Sequence, residues 1–170
     1  MTAKVVLLIV DVAAWGAIHA GTGYLAHRLP ESFCRRDTWI TRLRRCERSG
    51  RIWRVLRVRR WKDRVPEAGA VFAGGVSKRH LPGSGEAGLQ QFAAMTRRAE
   101  YGHWMCAAAS PVFALWNPAW IAAVMVGYGV AVNAPFIAIQ RYNRLRTEGP
   151  LARFAARSRS ARGTTGNSIP

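Results

Sequence analysis

The stretch Gly102-His103-Trp104-Met105-Cys106-Ala107-Ala108-Ala109-Ser110-Pro111-Val112-Phe113-Ala114-Leu115-Trp116-Asn117-Pro118-Ala119-Trp120-Ile121-Ala122-Ala123 runs for 22 residues without a Lys, Arg, Asp or Glu. It follows directly on Thr96-Arg97-Arg98-Ala99-Glu100-Tyr101. A second apolar run, Trp120–Ile139, overlaps its end and passes into Gln140-Arg141-Tyr142-Asn143-Arg144-Leu145-Arg146. Apolar runs that end in basic segments are the pattern of bilayer spans stopped at the headgroups. Both junctions also carry polar side chains suited to chemistry.

A third apolar run, Val5–Ala26, lies near the N-terminus. A spanning helix needs about 20 mostly apolar residues. Val5–Ala26 and Trp120–Ile139 meet this, although Asp11, His19 and Asn133 interrupt them, and Gly102–Asn117 is shorter. The tight Asn117-Pro118 link would fold the last two runs into a helical hairpin. The pattern predicts an all-α integral membrane protein with about three transmembrane helices, near 5–26, 102–117 and 120–139, in a single membrane unit covering 1–148. Val5–Ala26 also has the small residues of a cleaved signal peptide, and that alternative stands beside the uncleaved helix.

The mean hydropathy is near zero because it averages these runs with very basic segments. The net charge is +17, and of 26 Lys and Arg residues 18 lie within Arg28–Arg98 and seven within Arg141–Arg162. The positive-inside rule then puts the basic segment 28–100 and the C-terminus in the cytoplasm, with Asn117-Pro118 outside, in a multi-pass protein of the cell membrane. Such a charge is also found in nucleic-acid binders, but the flanking spans leave no lipid-free basic face, so no nucleic-acid partner is expected. Anionic lipid headgroups or a phosphate-bearing substrate are the simpler partners.

Arg28-Leu29-Pro30 should stop the first helix, since proline disfavours helical backbone at the residue before it. In Phe33–Trp61, apolar Trp39, Ile40, Leu43, Ile52, Trp53, Leu56 and Trp61 are interleaved with arginines, and Ser49-Gly50 is a natural break. This reads as an amphipathic interfacial helical segment, or as a solvated helical pair with its own small core. Val65–Gly88 reads as loop, Leu89–Tyr101 as a helix running into the second span, and 149–170 as a disordered basic tail. The cysteines Cys34, Cys46 and Cys106 have no paired spacing, and nothing nearby in sequence supports a cysteine nucleophile.

Three places could carry chemistry. Arg97, Glu100 and His103 recur at three-residue spacing and share one helix face, with Arg98 beside them and Trp104 one turn past Glu100. A carboxylate that orients an imidazole makes a general base, so His103 and Glu100 are the catalytic candidates. The plain alternative is a helix end that pairs Arg with Glu at the headgroups. Glu100-x-x-His103 also occurs in di-iron bundles, but those need a second such motif and two more carboxylates, so no metal is expected. The second place is Arg60, Trp61, Lys62 and Asp63, a cationic block fit for an anionic donor such as acyl-CoA or another acyl thioester, or for lipid headgroups alone. The third is Asn133, Gln140, Arg141, Asn143 and Arg144, polar groups emerging beside Pro135 at the same surface as His103. His80 is a further candidate base, in a loop. No bound cofactor is expected.

Taken together, these blocks resemble the glycosyl-4,4'-diaponeurosporenoate acyltransferase family. The resemblance rests on Arg60-Trp61-Lys62-Asp63-Arg64-Val65-Pro66, on Arg79-His80-Leu81, on Arg98-Ala99-Glu100-Tyr101-Gly102-His103-Trp104, and on Asn133-Ala134-Pro135 followed by Gln140-Arg141-Tyr142-Asn143-Arg144. It runs from about Arg28 to Arg146. It implies a membrane enzyme of carotenoid biosynthesis that esterifies a sugar hydroxyl of a glycosylated carotenoid with a fatty acyl chain. Its partners would be membrane lipids, a lipid-linked glycosyl acceptor, here a glycosylated carotenoid or another glycolipid, and an acyl donor. The rival reading is a non-enzymatic basic membrane protein that binds anionic lipids or serves as a subunit of a membrane complex.

Overall fold

The computed structural model describes residues 2–65 and 85–165, and the described residues are built from helices and turns without a strand. Helix α1 spans Ala3–Arg28, and it ends where Leu29 turns extended at ψ 129° before Pro30, as the proline requires. Four short helices follow: α2 Glu31–Cys34, α3 Arg45–Arg48, α4 Arg51–Val55 and α5 Val58–Trp61, with a 3₁₀ turn at Lys62–Arg64. Gly50 takes φ +72° between α3 and α4, the left-handed backbone that a glycine adopts without steric penalty. The break expected at Ser49-Gly50 is therefore present, but each half is split into shorter turns than a pair of amphipathic helices would give.

Helix α6 covers Glu86–Ala109 and passes into a 3₁₀ stretch, Ser110–Leu115, with Pro111 near its start. After the Asn117-Pro118 turn, α7 runs for 47 residues, Ala119–Thr165, with Pro135 and Pro150 inside it. The disordered tail expected for 149–170 is instead helical as far as Thr165. Leu151, Ala152, Arg153, Ala155, Ala156 and Arg157 are strong helix formers, and their propensity carries the helix past Gly149-Pro150.

Three legs lie side by side. Helix α1 is antiparallel to α6: Leu29 meets Arg98, Ala26 meets Gly102, His19 meets Cys106, and Asp11 meets Trp116. Helix α7 returns antiparallel to α6, pairing Gly129 with Ser110, Asn133 with His103 and Arg141 with Glu100. Close approach needs small residues. A Cβ on Gly129 would sit 2.7 Å from that of Ser110 and 2.9 Å from the Trp15 ring.

Two helices are long and apolar enough to cross a bilayer, Ala3–Arg28 and the Ala119–Ser160 part of α7. Only 11% and 22% of their apolar windows are buried inside the protein. Val5, Leu8, Ile9, Val12, Trp120, Val124 and Val130 are left exposed, which suits hydrocarbon as the surrounding solvent. Three spanning helices were expected. The middle leg is the last eight, uncharged residues of α6 plus six of 3₁₀ helix, about 24 Å at their respective rises, against a core of about 30 Å.

The polar interior lies at one end of these legs. Arg144, Gln140, Glu100 and Asn133 are as buried as Phe113 and Ile139. The segment from α2 to α5 wraps that end, burying Cys34, Thr41, Leu43, Glu47, Trp53 and Val58 while leaving Phe33, Trp39, Val55 and Leu56 exposed.

Candidate functional site

The site is built in three layers down α6. The first is ionic. Arg141 donates from Nε to Glu47 Oε1 at 2.6 Å and from Nη2 to Glu47 Oε2 at 2.7 Å. Its Nη1 donates to Glu100 Oε1 and to the Ile40 carbonyl, and Nη2 also donates to the Arg42 carbonyl at 2.9 Å. A guanidinium has five N–H groups, and every one of these is occupied within the protein. Trp104 Nε1 donates to Glu100 Oε1 at 3.3 Å. Arg144 Nη2 lies 2.7 Å from Glu100 Oε2, at an angle that makes this a charge pair and not a hydrogen bond, while the same nitrogen donates to the Thr41 carbonyl. Among the described residues, Arg144 Nε and Nη1 are buried without a partner.

Burial by itself would raise the Glu47 carboxyl, but bonds from Arg141 and from the Arg44 backbone outweigh it and hold the group below the usual carboxylate range. Arg97 belongs to a neighbouring pair, donating to Asp37 Oδ1 at 2.7 Å, and Arg98 donates to the Leu29 carbonyl at 3.0 Å. Burial pushes the Cys34 thiol up, with Arg98 and Arg97 pulling the other way.

The second layer lies three residues on, about 4.5 Å along α6. His103 Nδ1 meets Asn133 Oδ1 at 2.9 Å, and its ring stacks on Phe136 at 4.7 Å and 12°. Asn133 Nδ2 donates to the Gly129 carbonyl at 2.8 Å, which turns Oδ1 toward the imidazole. An amide oxygen only accepts, so Nδ1 carries the hydrogen and Nε2 is the basic nitrogen. The same pairing gives Asn133 the partners that a polar side chain in an apolar run requires.

The third layer is a turn deeper, where Cys106 Sγ lies 3.3 Å from His19 Nδ1 of α1. Further along α1, Asp11 accepts from Trp116 Nε1 at 2.8 Å and from Asn117 Nδ2 at 2.9 Å.

The structure thus gathers Glu100, Trp104, Arg141 and Arg144 in one layer, and His103 with Asn133 in the next. It does not pair Glu100 with His103 as the spacing suggested. The oxygens of Glu100 face the arginines and Trp104, and Asn133 takes the orienting position. Gln140 and Asn143 are buried on α7. The Arg60-Trp61-Lys62-Asp63 block holds itself together, Trp61 Nε1 donating to the Leu56 carbonyl at 2.9 Å and Lys62 pairing with Asp63. His80 lies outside the described residues. Sequence reasoning missed Glu47, Asp11 and His19 as partners. Glu47 also accepts the Arg44 N–H at 2.6 Å in the first turn of α3, but an arginine N-cap has no acceptor to complete a capping box, so the sequence carried no local signal for it.

A family model described as glycosyl-4,4'-diaponeurosporenoate acyltransferase matches residues 36–153. Proteins of that name from Staphylococcus haemolyticus and from a bovine strain of Staphylococcus aureus are similar to the chain. The first is 28% identical over 142 residues, 82% of each chain. The second is 26% identical over 133 residues, 78% of this chain and 80% of the relative. No solved structure gives a significant match.

Proposed function

The chain belongs to the glycosyl-4,4'-diaponeurosporenoate acyltransferase family, and from that membership we propose that it esterifies a sugar hydroxyl of a glycosylated carotenoid, or of a related glycolipid, with a fatty acyl group taken from an acyl thioester such as acyl-CoA. The observation that carries this reading is the extent of the match: residues 36–153 include every polar group of the ionic and His103 layers.

In the mechanism, His103 Nε2 accepts the proton of the acceptor hydroxyl as its oxygen attacks the acyl carbonyl, a step for which a general base is worth about 10²–10⁴-fold. Asn133 and Phe136 fix the ring, one through Nδ1 and the other through its face. Arg144, with two buried nitrogens that lack acceptors among the described residues, would hold the phosphate-bearing end of the donor, the thioester lying deeper at the level of His103. Arg141 and Glu100 do not touch substrate in this scheme. They keep Arg144 and the helix ends in place. Arg60, Trp61, Lys62 and Asp63 would attract the donor to the headgroup level.

The topology that fits is multi-pass. Helix α1, the middle leg and the first half of α7 would cross the cell membrane, with 28–100 and the C-terminus cytoplasmic where the arginines lie. The exposed Phe33, Trp39, Val55 and Leu56 would rest in the interface, as expected of an amphipathic segment tethered to a span.

Mass spectrometry of lipids and pigments tests the reading, in a host that makes glycosylated carotenoids, with and without the protein. An acylated species that appears only with the protein is expected. Identical profiles in the two hosts would sink the assignment.

A further inference from the structure

We propose that Cys106 carries the acyl group as a thioester between donor and acceptor, with His19 taking up the thiol proton. This deepens the acyltransferase reading and rests on it.

The geometry is that of a nucleophile and its base. Cys106 Sγ and His19 Nδ1 are 3.3 Å apart, on α6 and α1, with 87 residues between them. Cys106 is 2% exposed. The His19 ring is itself placed by Trp15, at 5.5 Å between centroids. A base within reach of the nucleophile and fixed by a third group is the arrangement that activates a thiol. The location adds to this. Cys106 is three residues past His103 on α6, so an acyl group on Cys106 would lie within a turn of the base that activates the acceptor. An imidazole in an apolar helix is costly to keep, and such residues mark functional sites.

The steps balance. The Cys106 proton passes to His19, and the thiolate attacks the donor carbonyl. A new carbon–sulfur bond forms, the old one breaks, and coenzyme A leaves as its thiolate and takes the proton from His19. The acceptor hydroxyl then gives its proton to His103 and attacks the Cys106 thioester. An oxygen ester forms, the Cys106 thiolate departs, and the proton returns to it. Thiol-to-thioester exchange is close to isoenergetic and the ester is the more stable product, so the second step draws the first.

The test uses the full-length protein in nanodiscs with alkyne-tagged palmitoyl-CoA and no acceptor. We expect a tag on the protein that neutral hydroxylamine removes. Cys106→Ala should abolish it, Cys106→Ser should give a tag that neutral hydroxylamine does not remove, and a Cys34→Ala/Cys46→Ala double variant should keep the wild-type behaviour. Glycolipid extract from a carotenoid-producing host is then added to the wild type and to Cys106→Ala. If tagged lipid forms while the protein never carries the tag, or if Cys106→Ala still forms it, direct transfer is shown: the covalent proposal falls and the acyltransferase reading survives. If neither protein nor lipid is ever tagged, both fall together.

Discussion

Arg141 and Glu47 are joined by two parallel bonds, 2.6 and 2.7 Å long, across 94 residues of chain. The pair staples the α2–α5 wrap to α7, and Glu100 of α6 shares the same guanidinium. Replacing a planar fork with five donors by an ammonium with three leaves buried acceptors unpaired. Arg141→Lys should therefore destabilise the fold by about 2–4 kcal/mol, somewhat less than the ~3–5 kcal/mol for removing one partner of a buried ion pair, because the charge is kept. Thermal unfolding in detergent checks this, with the exposed Arg159→Lys as the control that should not move. Equal midpoints for the two variants would remove Arg141 from this role.

The lowered Glu47 carboxyl gives the staple a pH dependence. The group binds its proton more weakly folded than unfolded, so its contribution is complete above the ordinary carboxylate pKa and is lost as pH falls through the lower folded value. Acid should loosen the wild type, and Glu47→Gln should show a flatter stability profile across the same acidic window. Stability measured as a function of pH in both proteins decides it.

His103→Gln should lower turnover by about 10²–10⁴-fold while leaving the unfolding midpoint near that of the wild type. Asn133→Leu should cause a smaller loss, since it removes the orientation of Nδ1 and not the base. Normal turnover in His103→Gln would take the imidazole out of the reaction.

Gly129→Ala should cost about 1–3 kcal/mol, because the added methyl meets Ser110 and Trp15 at distances well inside van der Waals contact. Gly127→Ala, with nothing within 4 Å of its new carbon, is the comparison and should be close to neutral.

Cys46 is exposed and Cys34 is buried with its thiol pushed up. Iodoacetamide near neutral pH should therefore label Cys46 promptly and Cys34 only as the protein unfolds. Peptide mass spectrometry over a time course reads both sites, and equal rates would contradict the packing of α2.

Much of the frame was legible in the chain. The stop at Leu29-Pro30, the break at Gly50 and the run of α6 across Glu100 follow from local rules about proline, glycine and apolar spacing. So did the prominence of His103, Glu100, Asn133, Arg141 and Arg144. What spacing could not give was pairing. Glu100 and His103 share a helix face, yet the carboxylate turns to arginines 41 and 44 residues further on, because two buried cations outbid one imidazole for it. His19 and Cys106 are unremarkable until α1 is laid antiparallel to α6. The tail was misread because composition suggested disorder where Ala, Leu and Arg sustain a helix.

Helix α1 holds Asp11 against Trp116 and Asn117 at one end and His19 against Cys106 midway. A leader peptidase that removed this segment would strip two hydrogen-bond donors of their shared acceptor and leave a bare thiol facing hydrocarbon. A recombinant version trimmed of this helix would therefore lose one wall of the bundle, and with it the imidazole beside Cys106.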